Sequence, residues 1–345
     1  MCKLDHAENW TSLGLASEAD CVEYAAPVQS SWVFRSSNLL HLFLAFFGAI
    51  FLIRALFFRL PYVAVHRNLK IISFSFVANL LLNCVVIILA QIHVLKISFT
   101  FTEPCEAFIP RPSYRLAHYF IVWTSFASTW FKTAFLVERS VATKKAGDYE
   151  NWDCQLGWSL TAGAVLFSTL EFLYAVDLFD PDIFLEPEVS YLLFPKPARA
   201  RFNHVLLISI LLSIIGLITC SYLYKYNKKE RMKKIGCRLS KRYQYSENIR
   251  ATEFVLCVSI ITTTLFICCL SFVLLIRFWQ EVIQQDDVVA FSIARSASYP
   301  MPLLSLILPI CLLIVRRYQT KKLEILEKEA EGGEYDRMLR QQWDK

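Results

Sequence analysis

The sequence predicts an all-α membrane protein: a seven-transmembrane-helix bundle with its N-terminus outside the cell and its C-terminus inside. Hydrophobic residues make up 55% of the 345 positions and charged residues only 19%. Soluble domains have roughly 45–50% apolar and about 25% charged residues. The charges gather between seven apolar runs of about twenty residues, which is the length of helix that spans a bilayer. The placement of Lys and Arg between these runs then indicates the orientation.

Seven apolar runs define the predicted spans. They cover about 37–58, 71–92, 117–137, 156–179, 202–224, 252–276 and 288–315. Residues 1–36 form a polar N-terminal tail without the apolar core of a signal peptide, so we expect the first span to direct insertion. Residues 316–345 form a cytoplasmic tail. The chain has no internal repeat and no second domain.

Polar residues inside the spans predict local features of the bundle. Asn79 and Asn83 lie one helical turn apart in the second span. Their face should turn towards other helices, because an amide in lipid needs a hydrogen-bond partner. Pro300, Pro302 and Pro309 predict kinks in the last span.

The distribution of basic residues predicts the orientation. Ten Lys and Arg residues lie between Lys225 and Arg250, against only Glu230 and Glu247. Basic residues are also enriched in the other loops that an external N-terminus places in the cytoplasm, which is the expected bias. The single Asn-x-Ser/Thr sequon, at Asn9, falls in the predicted extracellular tail and is a candidate glycosylation site.

The eleven cysteines predict no metal site. Six lie inside apolar runs, where a cysteine acts as a small hydrophobic residue. None has the spacing of a metal-binding motif. The predicted outer segment 180–201 contains no cysteine, so Cys105 could pair with Cys21 or Cys2, or remain free.

An enzyme is not expected. The sequence has no Ser/His/Asp arrangement, no His-Glu-x-x-His and no Gly-rich phosphate loop among its nine glycines. We expect no cofactor. The net charge of +6 lies beside membrane spans, so we expect membrane lipids as partners and no nucleic acid. Two classes remain: a receptor, and a ligand-gated channel or transporter with seven helices.

A candidate ligand pocket lies in the predicted outer half of the bundle. Ionisable residues inside a membrane are costly and are functional candidates by default. The candidates are His118, Tyr119, Trp123, Glu171, Arg295 and Tyr299. The alternative is that Glu171 and Arg295 pair structurally or lie among lipid headgroups. Lys132 is left out, because we expect its long side chain to extend to the inner surface.

The third run ends in Glu138-Arg139, which allows two interpretations. The pair could be a conformational lock, in which the arginine is released towards a transducer on activation. Alternatively, it could anchor the helix at the membrane surface, as charged residues often do. The basic loop around 225–250 likewise suits either anionic lipid headgroups or a transducer surface.

Several motifs resemble one family. They are Glu138-Arg139-Ser-Val-Ala-Thr143 followed by Asp148-Tyr149-Glu150, the stretch Leu239–Arg250 that enters the sixth span, His66-Arg-Asn-Leu69, and Tyr299-Pro-Met-Pro302. Together they resemble nematode serpentine chemoreceptors of the Sra superfamily, and the tyrosine–glutamate pair resembles class epsilon (Sre) most.

This resemblance implies a G-protein-coupled receptor for small chemical cues in the plasma membrane of sensory neurons, at their cilia. Its partners would be a small-molecule ligand and a heterotrimeric G protein. The residues implied to face the G protein are Glu138, Arg139, Tyr149, Arg242, Glu247, Asn248 and Arg250. The chain departs from the rhodopsin-like pattern: Ser140 follows Arg139, the sixth span lacks proline and no asparagine precedes Pro309. Rhodopsin-like activation details are therefore not transferred.

Overall fold

The computed structural model describes residues 18–58, 66–145, 148–149, 152–176, 187–193, 199–233, 239–282 and 288–311. Every regular element in these ranges is helical. The long helices are α1 Trp32–Phe58, α2 Arg67–Thr100, α3 Arg111–Lys144, α4 Gln155–Val176, α5 Arg199–Lys233, α6 Leu239–Val282, α7 Val288–Ala297 and α8 301–311. Asn9 and the tail 316–345 lie outside the described residues.

Six stretches of the described chain are long and apolar enough to cross a membrane. They are Trp32–Phe57, Arg67–Thr100, Pro104–Lys144, Gln155–Val176, Arg201–Lys233 and Tyr245–Cys268. Helices α7 and α8 occupy the predicted seventh span. The chain leaves the helical conformation at 298–300, since a residue that precedes proline disfavours helical backbone angles. The kink expected at Pro300 therefore takes the form of a break, whereas Pro302 and Pro309 lie within α8, which is continuously helical over 301–311.

Most helices continue beyond the predicted spans. The first turn of α2 is capped by His66, whose Nδ1 accepts a hydrogen bond from the Asn68 backbone N–H at 3.3 Å. Pro112 lies in the first turn of α3, where proline is tolerated because its missing N–H has no partner inside the helix. Helix α3 does not end at Arg139 but continues to Lys144. The membrane boundaries along the helices stay predictions.

Helix α3 is the centre of the bundle and packs against α2, α4, α5 and α6. The Phe135 ring meets Phe76 of α2 and Phe254 of α6 edge-on, with centroids 5.6 and 6.3 Å apart. The predicted inward face of α2 is confirmed: Asn79 Nδ2 donates to Thr124 O and to Ser128 Oγ of α3, each at 3.0 Å. Many outward faces carry exposed large apolar residues such as Phe43, Leu166 and Ile215, as contact with lipid requires.

Residues 18–30, which precede α1, pack on the bundle instead of forming a free tail. Three short helical pieces cover Glu18–Ser30, and Val28 and Gln29 are fully buried. Cys21 forms a disulfide with Cys105, so among the partners left open for Cys105 the structure selects Cys21. This bridge ties the N-terminal segment to the loop between α2 and α3.

Gly157 lies in close contact with the backbone of α2. A Cβ atom at this position would lie 2.8 Å from Asn68 Cα and 2.9 Å from Asn68 O, both backbone atoms. A Cβ at Gly163, two turns further along α4, would meet nothing within 4 Å. Helix α4 can therefore lie this close to α2 only because residue 157 has no side chain.

We expect Gly157→Ala to destabilise the protein by about 1–3 kcal/mol, because the methyl group forces α2 and α4 apart. The matched control, Gly163→Ala, should be neutral or stabilising, since alanine is the better helix former. The thermal unfolding midpoint of the purified protein measures both effects. Equal midpoints for Gly157→Ala and the unsubstituted protein would contradict the close packing described for α2 and α4.

Candidate functional site

A buried ion pair lies near the end of α3. The Glu138 and Arg139 side chains are 0% and 2% exposed. Arg139 Nε and Nη2 donate to the two carboxylate oxygens of Glu138, the two-pronged geometry that makes arginine–carboxylate pairs strong. This burial contradicts the interpretation that the pair anchors α3 among headgroups. The role of the pair in signalling stays a prediction.

Tyr149 connects this ion pair to the neighbouring helices. Its hydroxyl donates to Glu138 Oε1 and accepts from Asn68 Nδ2 at 3.2 Å. Asn68 Oδ1 in turn accepts from the Gly157 backbone N–H at 2.9 Å. We call these five residues (Asn68, Glu138, Arg139, Tyr149 and Gly157) the Glu138 cluster. It joins α2, α3, α4 and the loop that follows α3.

The protonation state of Tyr149 suits its role as a donor. Burial, followed by the charge of the Glu138 carboxylate, raises the pKa of the Tyr149 phenol above its usual value. The phenol therefore stays protonated at neutral pH and donates to the carboxylate. The His66 ring packs on the Tyr149 ring with centroids 4.3 Å apart, which holds the tyrosine in place from the start of α2.

Near the same end, α5 and α6 each donate one hydrogen bond from a neutral amide to α3. Asn227 Nδ2 of α5 donates to Thr143 Oγ1 at 3.0 Å, and Asn248 Nδ2 of α6 donates to Ala142 O at 3.2 Å. Glu247 lies close enough for its charge to act on Arg139. Of the other predicted G-protein-facing residues, Arg250 is exposed, and the side chain of Arg242 lies outside the described residues.

At the opposite end of α3, residues 187–193, here called the Tyr191 segment, lie across the bundle. His118 Nδ1 donates to Tyr191 O at 3.0 Å, and the Tyr114 hydroxyl donates to Leu193 O at 2.7 Å. Gln29 Nε2 donates to Val189 O at 2.9 Å. Residues 188–193 are at most 5% exposed. His118, one of the predicted ligand-binding residues, is therefore hydrogen-bonded to a buried segment of the chain.

The Tyr191 side chain fixes the segment to α2. Its hydroxyl and His93 Nδ1 are 2.6 Å apart, and their rings are in contact. Burial raises the pKa of Tyr191 to about 12, so the phenol is protonated at neutral pH. Ser190 Oγ is 3.1 Å from Ser296 Oγ of α7. The segment therefore links three helices, α2, α3 and α7, at this end of the bundle.

The six residues predicted to line one pocket fall into two groups. His118 and Tyr299 point into the bundle, where the Tyr299 hydroxyl is 3.0 Å from Ser125 Oγ of α3. Arg295, half-buried, lies near enough for its charge to act on His118. A pocket shared by all six residues, and a role of either group in ligand binding, stay predictions.

The second group lies between α3 and α4. Tyr119 packs edge-on against Phe172, with ring centroids 5.3 Å apart, and Trp123 Nε1 donates to Thr169 Oγ1 at 3.1 Å. Glu171 accepts a hydrogen bond from Trp130 Nε1 at 2.9 Å. The partner of Glu171 in the structure is therefore a tryptophan of α3 and not Arg295.

Sequence reasoning missed one buried cation. Lys132 does not extend to the inner surface; it is 8% exposed and donates from Nζ to Ser213 Oγ of α5 at 2.9 Å. A signal for this placement exists in the sequence. Lys132 lies seven residues before Arg139 and seven after Ser125, and residues seven apart share a face of a helix. Reading α3 in steps of seven would have placed Lys132 inside the bundle.

A bundle of long apolar helices around a central α3 that buries an acid–base pair is the arrangement expected of a seven-transmembrane receptor. The model of the family described as "Serpentine type 7TM GPCR receptor class ab chemoreceptor" matches residues 18–344. Because this match covers nearly the whole chain, the protein belongs to that family. It is an integral membrane protein of a receptor family, and this is not a family of enzymes.

Proteins of Caenorhabditis elegans are similar over most of their length. Serpentine receptor class beta-15 is 25% identical over 74% of each chain. Serpentine receptor class beta-11 is 23% identical over 85% of this chain and 84% of its own. Serpentine receptor class beta-13 is 23% identical over 90% of this chain and 92% of its own.

These similarities correct the class assigned from the sequence. They indicate class ab, and the similar proteins are of class beta. The tyrosine–glutamate pair had instead indicated class epsilon. A chain of class ab carries the pair at Tyr149 and Glu150, so it does not by itself identify class epsilon. The physical reason for the tyrosine is visible: its hydroxyl binds the buried carboxylate of Glu138.

Proposed function

We propose that the protein is a G-protein-coupled chemosensory receptor of the plasma membrane, in the cilia of sensory neurons. It binds a small chemical cue in the outer half of the bundle and signals through its cytoplasmic loops to a heterotrimeric G protein. The observation that carries the proposal is the buried Glu138–Arg139 pair, held by Tyr149 in a chain of a chemoreceptor family. The orientation follows the basic loops, with the Glu138 cluster on the cytoplasmic side.

The proposed signalling step is the separation of α6 from α3. Charge-assisted hydrogen bonds hold Tyr149 and Arg139 to Glu138, whereas the amide of Asn248 donates a neutral hydrogen bond from α6 to α3. Hydrogen bonds to charged groups contribute about 1.5–3 kcal/mol and neutral ones about 0.5–1.5 kcal/mol. Of these hydrogen bonds, we expect the one from Asn248 to break first, and the movement of α6 then exposes the region around Arg139 to the G protein.

Ligand recognition is assigned to the interior group, His118, Arg295 and Tyr299. His118 is hydrogen-bonded to the Tyr191 segment, and the Tyr299 hydroxyl contacts Ser125, which connects α3 with the chain between α7 and α8. A cue that binds there competes with, or rearranges, the bond between His118 and Tyr191 O. Since ligand and G protein favour the same global state, their affinities are linked reciprocally.

The alternative function is a seven-helix ligand-gated channel or transporter, and the family does not favour it. The two functions differ in one observable. A channel gives a ligand-evoked current without a G protein, whereas a receptor gives guanine-nucleotide-sensitive ligand binding.

Signalling should depend on the ion pair. We expect Arg139→Ala to abolish ligand-evoked G-protein activation while the protein reaches the cell surface, and Glu138→Gln to raise basal activation because it loosens the pair. Both are measured as nucleotide exchange on a co-expressed promiscuous G protein, normalised to surface protein.

Folding has to be separated from signalling in this test. Removing one partner of a buried pair leaves an uncompensated charge, at a cost of about 3–5 kcal/mol. The double variant Glu138→Gln/Arg139→Gln carries no such charge and is the control for surface expression. Full ligand-evoked activation by Arg139→Ala at normal surface levels would reject the hypothesis that the Glu138–Arg139 pair is a conformational lock.

The orientation makes an independent prediction. A C-terminal tag should be invisible to antibody on intact cells and visible after permeabilisation, and any glycan at the sequon should disappear in Asn9→Gln. A tag placed before residue 18 should stain intact cells and serves as the positive control. Staining of the C-terminal tag on intact cells would overturn the orientation and, with it, the assignment of the G-protein-facing side.

A further inference from the structure

Lys132 is a buried cation that the proposed signalling mechanism does not use. It lies on α3 about two helical turns from Arg139, between α5 and α6. Its Nζ donates to Ser213 Oγ of α5 at 2.9 Å and lies 4.9 Å from the centre of the Phe266 ring of α6. Within the described chain Lys132 has no carboxylate partner. An ammonium group has three N–H donors. The bond to Ser213 uses one of them, so the others can donate to further acceptors.

A small cavity lies beside this lysine. It has room for roughly one water molecule. The residues that line it are Thr129, Lys132, Thr133, Leu136, Leu212, Ser213, Gly216, Ser259 and Thr263. Five of these nine side chains are hydroxyls and none is a carboxylate. The cavity is therefore a polar site that holds a cationic side chain inside the bundle.

The hydroxyls around Lys132 differ in what they can donate. Ser213 donates its proton to Ser209 O at 2.7 Å, so its oxygen accepts from Lys132 and fixes the ammonium in place. Thr263 Oγ1 is buried and has no hydrogen-bond partner among the described residues. Buried polar groups are nearly always hydrogen-bonded. The Thr263 hydroxyl is therefore available to donate into the cavity, alongside the N–H groups of Lys132.

We propose that Lys132 and Thr263 bind a small monovalent anion, such as chloride, between α3, α5 and α6. The ammonium and the hydroxyl both donate, which suits an anion and excludes a metal cation. A neutral water would leave the charge of Lys132 uncompensated, and a buried charge without a counter-charge is costly. The size of the cavity excludes phosphate and larger organic acids.

The position of the site gives the anion a structural effect. It touches the three helices whose separation would open the end of the bundle near Arg139, so its binding favours their packed arrangement. The inference rests on the fold and on the contacts of Lys132. It does not depend on the proposed receptor function, because the test below uses neither a ligand nor a G protein.

The test is thermal unfolding of the purified full-length protein in sodium chloride and in sodium gluconate of equal ionic strength. Anything that binds only the folded state raises its stability. At saturating chloride we expect a rise of about 2–5 °C in the midpoint relative to gluconate. Sodium bromide should give a similar rise, since bromide is also a small monovalent anion. Equal midpoints in chloride and gluconate would overturn the proposal.

Two pairs of variants separate the site from general salt effects. Lys132→Met should lose the chloride-dependent rise, whereas Lys144→Met, which removes an exposed lysine of the same helix, should keep it. Retention of the rise by Lys132→Met would show that chloride acts elsewhere and would reject the site.

A second pair covers the case in which Lys132→Met does not fold. A Cβ at Gly216 would meet Leu136 Cδ2 at 3.9 Å, an ordinary contact with another lining residue. Gly216→Ala therefore narrows the cavity without a clash, and we expect it to raise the chloride concentration for half-maximal stabilisation about tenfold. Gly163→Ala on α4 should leave this concentration unchanged. An unchanged chloride dependence in Gly216→Ala would contradict the proposal.

Discussion

The arrangement of the bundle near the end of α3 depends on the burial of the Glu138–Arg139 pair. Removing two charges from water is expensive, and their mutual attraction offsets the cost only when further hydrogen bonds satisfy the carboxylate. Tyr149 supplies that bond, and Asn68 and the Gly157 backbone fix the tyrosine. The position of α4 against α2 follows from this chain of contacts, because Asn68 has to reach a backbone N–H at residue 157.

The other end of the bundle is held mainly by bonds from side chains to a loop backbone. Tyr114, His118 and Gln29 each donate to a carbonyl of the Tyr191 segment. These donors satisfy backbone oxygens that burial would otherwise leave unpaired, at a cost of about 1–3 kcal/mol each. The loop can therefore be buried against the helices. The disulfide between Cys21 and Cys105 fixes the N-terminal segment beside it.

The sequence predicted the fold class, because it follows from hydrophobicity, and it singled out Glu138 and Arg139 by their position at the end of a span. It could not predict that Tyr149, a loop residue, reaches back to Glu138, since this contact depends on the path of the chain after α3. For Tyr119 and Trp123, the sequence analysis did not use the face of α3 on which they lie. Tyr119, Trp123 and Trp130 share one face by their spacing of four and seven, and that face meets α4.

The separation of α6 from α3 is the central claim, and a distance measurement tests it directly. Spin labels at the exposed positions 144 and 250 report the distance between α3 and α6, once the native free cysteines are replaced. Asn248→Ala removes the hydrogen bond from α6 to Ala142 O and should loosen the contact between α3 and α6. We predict a longer or bimodal distance distribution in Asn248→Ala than in the otherwise unsubstituted protein. Identical distributions, with both proteins folded, would contradict the claim that α6 separates from α3 at this contact.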